Sequence, residues 1–352
     1  QPLWTLVGAG EVDKADTARE ERSVIPKGAK WIQDRVEGFH PEDNAVSTRQ
    51  GQRIGYDFLV VAAGIQLDWS RVKGLPQSIG KNGVCSNYAY EYADKTWEFL
   101  KALKGGNAVF TFPGTETKCG GAPQKIMWLA DHHLRRTGRR GDTEVWFVSA
   151  KPGIFGIPHY ARTLNRLVEE RNIQTRYRRN LIEIDAENKI ALFKNLENGE
   201  TELVSYELLH VTPPQSAPDF IKHSTLADSE GWVDVDASTL QHQRYPNIFS
   251  LGDASNLPTS KTGAAVRKQA PVLVQNLLSF KAGKVLPARY NGYTSCPLVT
   301  GYGRLVLAEF DYEGRPAETF PFDQSRERRS MYWLKRYLLP LLYWHGMLKG
   351  RV

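Results

Sequence analysis

Cys119 is the residue whose surroundings most clearly select a chemistry. It stands in Lys118-Cys119-Gly120-Gly121-Ala122-Pro123-Gln124-Lys125, a glycine-rich turn between a strand-like run, Asn107 to Phe112, and a helical stretch from Gln124 to about Arg136. Nucleotide-binding domains hold a pyrophosphate in such turns, through free backbone N–H groups and the helix dipole. A thiol placed there has its thiolate stabilised by the same partial charge, and Lys118 and Lys125 add to it. A depressed thiol pKa and nucleophilic or redox chemistry are expected. Cys296 lies in Tyr293-Thr294-Ser295-Cys296-Pro297-Leu298-Val299-Thr300-Gly301-Tyr302, whose polar start reads as a turn and predicts an accessible thiol. Cys85, in Gly83-Val84-Cys85-Ser86-Asn87, has no helix start beside it and reads as a small buried hydrophobe.

A second constellation is built on a carboxylate. Asn247 to Asp253 reads as a short buried strand ending in Gly252-Asp253, followed by Thr259-Ser260-Lys261-Thr262-Gly263-Ala264-Ala265 and a helical stretch to about Phe280. The carboxyl end of a parallel strand before a helix N-terminus is a usual ligand crevice. There Asp253 can accept from a ribityl hydroxyl, or simply cap the helix. Lys261 and the helix N-terminus can stabilise charge on a reduced flavin. A third constellation, Arg326 to Lys349, mixes Arg326, Arg328, Arg329, Lys335 and Arg336 with Trp333, Leu338, Leu341, Tyr343 and Trp344. Charged and interrupted by Pro340, it is not a spanning helix, and its composition is that of a helix lying in a membrane surface or docked on a core.

The elements that must position these groups alternate. Tyr56 to Gly64 is a continuous apolar run, as for a strand buried on both faces. Asn107–Phe112, Glu144–Ser149, Gln174–Arg178 and Tyr206–Thr212 read as strands, with helices at 124–136 and 160–171, a βαβ pattern. Leu181–Asp185 and Lys189–Phe193 flank a turn and read as a hairpin laid on this second unit. The strand at 247–253 is expected to return to the first unit, and the tail from Arg289 forms a smaller third region. At 352 residues and 41% hydrophobic content the chain is long enough for two packed units. Its net charge of +7 is scattered except near 326–336, and zinc spacing and RNA-binding aromatic signatures are absent, which argues against nucleic acid. Three cysteines with no C-x-x-C pair exclude a disulfide scaffold.

The blocks Gln1 to Gly10, Lys118 to Lys125, Gly252-Asp253 with Thr259 to Thr262, and Tyr293 to Gly301 together resemble the sulfide:quinone oxidoreductases of the mitochondrial type and their bacterial relatives, nearly from end to end. The resemblance implies an α/β flavoprotein of two Rossmann-like domains, of the pyridine-nucleotide-disulfide-oxidoreductase type, with a C-terminal membrane-surface region. Residues 1–67 and 236–285 would form the FAD-binding domain, 68–235 a second Rossmann-like domain carrying Cys119, and 286–352 the region with Cys296. It further implies that Cys119 and Cys296 are the catalytic pair. Gln1, Val36, Gly64, Asp253, Lys261, Thr262, Gly263 and Ala264 would line FAD, although the family more often carries Ala where Gly263 stands. Lys335 would lie on the quinone side. The implied partners are sulfide, a quinone such as ubiquinone, a small sulfur acceptor such as glutathione or sulfite, and the surface of a bacterial or mitochondrial inner membrane.

One departure separates the chain from the family pattern. The family opens with a strand, a G-x-G-x-x-G turn and a helix that hold the FAD pyrophosphate, and no such motif occurs here. The chain is therefore expected to be a fragment lacking that first βαβ unit. Two rival readings remain at this level. A type II NADH:quinone dehydrogenase would need a nicotinamide-binding glycine fingerprint where Cys119 stands. A non-catalytic membrane-surface protein would carry no flavin.

Overall fold

The computed structural model describes residues 2–351, so Gln1 lies outside the described residues. Five parallel strands form the central sheet, in the spatial order Val84–Cys85, Leu208–His210, Gly106–Phe112, Thr143–Ser149 and Gln174–Tyr177. The sequence of Gly106–Phe112 explains why it is central. Ala108 and Phe110 face one core while Val109 faces the other, and all three are fully buried. The first core is closed by Ala93–Ala102, Ala122–Arg136 and Pro158–Glu170, which contribute Leu100, Ile126 to Ala130 and Leu164. The second is closed by an antiparallel sheet, Arg179–Asp185, Ile190–Asn195 and Thr201–Ser205, through Leu181, Ile184, Ala191, Phe193 and Val204. The expected hairpin is there, with a third strand added.

Leu59–Val61 pairs in parallel with Ile248–Ser250, so the strand at 248–250 does return to the first unit. The long helix Gly263–Lys281 follows it, and its Leu273 joins Phe249, Tyr290 and Tyr293 in a separate core. Two short strands, Gln66–Leu67 and Gln215–Ser216, pair antiparallel where the chain passes between the units. The antiparallel hairpin Thr294–Gly301/Arg304–Phe310 lies against Ala122–Arg136, and its Cys296, Leu298, Val306 and Ala308 join the core of the central sheet. A helical segment with widened turns runs from Arg329 to Lys349. Among the described residues no helix is long and apolar enough to cross a membrane.

Candidate active site

The turn after Gly106–Phe112 carries Cys119 in a left-handed conformation, φ 59°, which costs an L-residue about 1–2 kcal/mol and is held here by its neighbours. The Lys118 N–H donates to Gln215 Oε1 at 3.0 Å, and the Cys119 N–H donates to the Lys261 carbonyl at 2.6 Å. Gly120 N–H donates to Ser260 Oγ at 3.0 Å. The helix starts at Ala122, and a Cβ on Gly121 would lie 2.2 Å from Leu298 Cδ2, so a larger residue there would have to displace Leu298. The hairpin is thereby pressed against the helix N-terminus.

That contact delivers Cys296. Its sulfur is 3.5 Å from the Cys119 sulfur, and both are free thiols. The expectation of an accessible Cys296 is overturned: it lies mid-strand and is fully buried. The polar residues that read as a turn, Thr294 and Ser295, are buried, and Thr294 has partners. Thr294 Oγ1 contacts Thr262 Oγ1 at 2.8 Å and donates to the Ser260 carbonyl at 3.0 Å, which removes the cost of burying a hydroxyl. Lys125 Nζ is 3.2 Å from Cys119 Sγ, as a thiolate-stabilising cation should be. Lys118 does not share that role, because its ammonium donates to the Tyr88 carbonyl at 3.2 Å instead.

These contacts separate the two sulfurs chemically. The Cys296 thiol holds the Cys119 thiol well below the ordinary thiol range by hydrogen bonding to it, with the Lys125 ammonium and the Gly121 N–H acting in the same direction against burial. The same shared proton pushes Cys296 well above that range, with burial and the charge of Cys119 adding to it, while Lys125 and Ser260 oppose. Negative charge is thus favoured on Cys119, beside the Lys125 ammonium, over the buried Cys296. Cys85, by contrast, is fully buried and pushed up to about 12 by desolvation, which is the inert behaviour expected of it.

The turn is tied directly to the second constellation. Gly64, in a left-handed conformation at φ 76°, and Gly252-Asp253 lie just beyond the carboxyl ends of the paired strands Leu59–Val61 and Ile248–Ser250. Asp253 does not cap the helix, since the cap is Thr262, whose Oγ1 accepts from Ala265 N at 3.1 Å. Burial raises the Asp253 carboxyl, and its side chain lines a small pocket with Thr259, Ser260, Lys261 and Thr262. Lys261 Nζ donates to the Asp253 and Ser255 carbonyls at 3.0 and 2.9 Å and lies 3.8 Å from the centre of the Trp232 ring. Burial pushes Lys261 down to about 8. Gly263 and Ala264 open the helix, with free space around Gly263, while Val36 begins the outer strand Val36–His40. The Asp253 carboxylate, without a hydrogen-bond partner among the described residues, and the adjacent helix N-terminus and Lys261 suit the hydroxyls and the electron-accepting ring of a flavin.

Lys335 is buried on the inner face of the C-terminal segment, where its ammonium donates to the Pro2 carbonyl at 3.1 Å. Burial and the nearby Lys125 charge bring it down to about 7, opposed by the two cysteines, so it belongs electrically to the cysteine centre. The outer face of that segment exposes Trp333, Tyr337, Leu338 and Leu341.

No protein-family model matches the chain. It is 50% identical over 351 residues to mitochondrial sulfide:quinone oxidoreductase of Mus musculus, covering 99% of this chain and 78% of that protein. The chain belongs to the mitochondrial sulfide:quinone oxidoreductase family. The mitochondrial sulfide:quinone oxidoreductase of Dictyostelium discoideum is also 50% identical, over 100% of this chain and 78% of its own length. In fold, the chain is similar to the crystal structure of sulfide:quinone oxidoreductase from Aquifex aeolicus, with a TM-score of 0.81 and 20% identity over 99% of this chain and 82% of that one. The α/β flavoprotein architecture expected from the resemblance is thus the observed one. Two residues that contact the cysteine-bearing elements were not singled out from the sequence, Ser260 and Gln215. Ser260 stood inside a quoted motif, but only the fold places its hydroxyl 3.6 Å from Cys296 Sγ. Gln215 carried no signal beyond the turn at Pro213-Pro214.

Proposed function

We propose that Cys119 and Cys296 are the redox pair through which this sulfide:quinone oxidoreductase oxidises sulfide, with FAD as the two-electron carrier and a quinone as the final acceptor. The observation that carries this reading is the 3.5 Å contact between the two sulfurs, with Lys125 on one of them only. In the oxidised pair, hydrosulfide attacks Cys296 Sγ, the S–S bond breaks, and Cys119 leaves as the thiolate. The lower-pKa sulfur is the better leaving group, which sets that direction. Cys296 then carries a persulfide. A small nucleophile such as glutathione thiolate or sulfite takes its terminal sulfur and frees the Cys296 thiolate. The two thiolates re-form the S–S bond and release two electrons.

Asp253, Lys261, Thr262, Gly263, Ala264, Gly64 and Val36 are the residues that would hold FAD, the carboxylate able to accept from hydroxyls and the helix N-terminus and the Lys261 charge able to favour a reduced, negatively charged ring. Bound there, FAD supplies the sink for the electron pair and passes it to quinone. The exposed aromatic and leucine face at 333–341, with Arg336 beside it, supports a peripheral position on the surface of an inner membrane, where a quinone is reached. The test is anaerobic reduction of decyl-ubiquinone by sulfide with the flavin-loaded enzyme. Wild type is expected to turn over while Cys119→Ser and Cys296→Ser lose sulfide-driven flavin reduction. Reduction of the flavin by NADH and not by sulfide would replace this reading with the dehydrogenase one.

A further inference from the structure

The two sulfurs are not equally provided for. Cys119 has the Lys125 ammonium at 3.2 Å and the Gly121 N–H. Among the described residues, Cys296 Sγ has hydrogen-bond contacts with Cys119 Sγ and with one other atom, Ser260 Oγ at 3.6 Å. Ser260 is fixed between the two cysteine-bearing elements. Its Oγ accepts the Gly120 N–H at 3.0 Å, and its carbonyl accepts from Thr294 Oγ1 at 3.0 Å on the strand of Cys296 itself. Because the hydroxyl oxygen is already accepting from Gly120, its own proton is free for the sulfur.

On the paired-cysteine reading, the charge moves between the sulfurs in two separate steps. Opening the S–S bond puts it on Cys119, where Lys125 waits. Passing the terminal sulfur to an acceptor nucleophile breaks the bond between that sulfur and Cys296 Sγ, and the electron pair stays on Cys296, in a buried position without a cation in contact. We propose that Ser260 is a catalytic hydrogen-bond donor to Cys296 Sγ, stabilising the thiolate that Cys296 becomes when its terminal sulfur is handed on. The inference rests on the reading above and assigns to Ser260 only the second step.

The test separates the steps in the full-length, flavin-loaded enzyme. A single addition of sulfide without acceptor loads the persulfide, which mass spectrometry locates and counts. Sulfite is then added and thiosulfate release is timed. Ser260→Ala is expected to load at nearly the wild-type rate and to release thiosulfate about 10- to 100-fold more slowly, the size of a hydrogen bond to a charged group. Ser260→Thr, which keeps the hydroxyl, is expected to recover most of that loss. Release from Ser260→Ala at the wild-type rate, slowing of both steps by the same factor, or equal loss in the Ala and Thr variants overturns the proposal. Failure of the underlying reading looks different: the wild-type persulfide is then found on Cys119 or on neither cysteine.

Discussion

Two strand–turn–helix corners of this molecule start from the same architecture and end as opposites. At the carboxyl ends of Leu59–Val61 and Ile248–Ser250, the approach to the helix Gly263–Lys281 is left open: a Cβ on Gly263 would meet nothing within 4 Å, and Asp253 lines a pocket. At the carboxyl end of Gly106–Phe112, the hairpin of Cys296 fills the corresponding space, and a Cβ on Gly121 would lie 2.2 Å from Leu298 Cδ2. The open corner suits a cofactor held against free N–H groups. The closed one spends the same helix N-terminus on a thiolate. Leu298 packed against the Gly121 turn, together with the missing glycine fingerprint, counts against the dehydrogenase reading.

The comparison is broken most directly at the sulfurs. Cys119→Ser and Cys296→Ser are each expected to lower sulfide-driven flavin reduction by about a thousandfold or more in stopped-flow measurements, since each removes a bond-forming atom. NADH is expected to reduce neither these variants nor wild type. Lys125→Met should be next in size. Loss of the ammonium 3.2 Å from Cys119 removes a contact that holds that thiol down, so the midpoint of its pH-dependent alkylation by iodoacetamide should move to higher pH. An unchanged alkylation profile would leave the closed corner without its electrostatic purpose.

Much of this contrast was legible in the sequence, and what was not has a physical cause. The buried run Asn107–Phe112 followed by Gly120-Gly121-Ala122-Pro123 gave a strand, a turn and a helix, because core strands are apolar throughout and crossover helices begin in small residues. The burial of Cys296 was hidden because Thr294 and Ser295 look like turn residues until Thr262 and Ser260 arrive from another unit to satisfy Thr294. The burial of Lys335 was hidden for the same reason, since its basic segment reads as surface while its ammonium is folded onto Pro2. The helix Ala93–Ala102 carries a weak pattern in the sequence, because only Ala93, Thr96 and Leu100 of its residues are buried. Local pattern carries the frame, and pairing across units carries the site.

A stability pair sharpens the comparison through packing. Gly121→Ala must displace the buried Leu298 and should cost about 1–3 kcal/mol, as overpacking does. Gly263→Ala meets open space at the start of a helix and should be neutral or stabilise by about 0.4–1 kcal/mol. Denaturant midpoints of the two variants decide it, and equal costs would mean that the corners do not differ in packing.

The smallest expected effect concerns Lys335, and it has a defined pH window. Burial brings its ammonium down to about 7, so it is charged below that pH and neutral above it. Lys335→Met should therefore slow Cys119 alkylation a fewfold at pH 6 and leave it unchanged at pH 8. The stability effect has the opposite sign. Above about 7 and up to the ordinary lysine range, the unfolded chain binds the proton that the folded chain has released, so wild-type stability gains with rising pH, and the gain is absent in Lys335→Met. The variant should thus be stabilised relative to wild type most at pH 6 and progressively less toward pH 9. A difference that does not depend on pH would mean that Lys335 contributes shape to the closed corner and no charge.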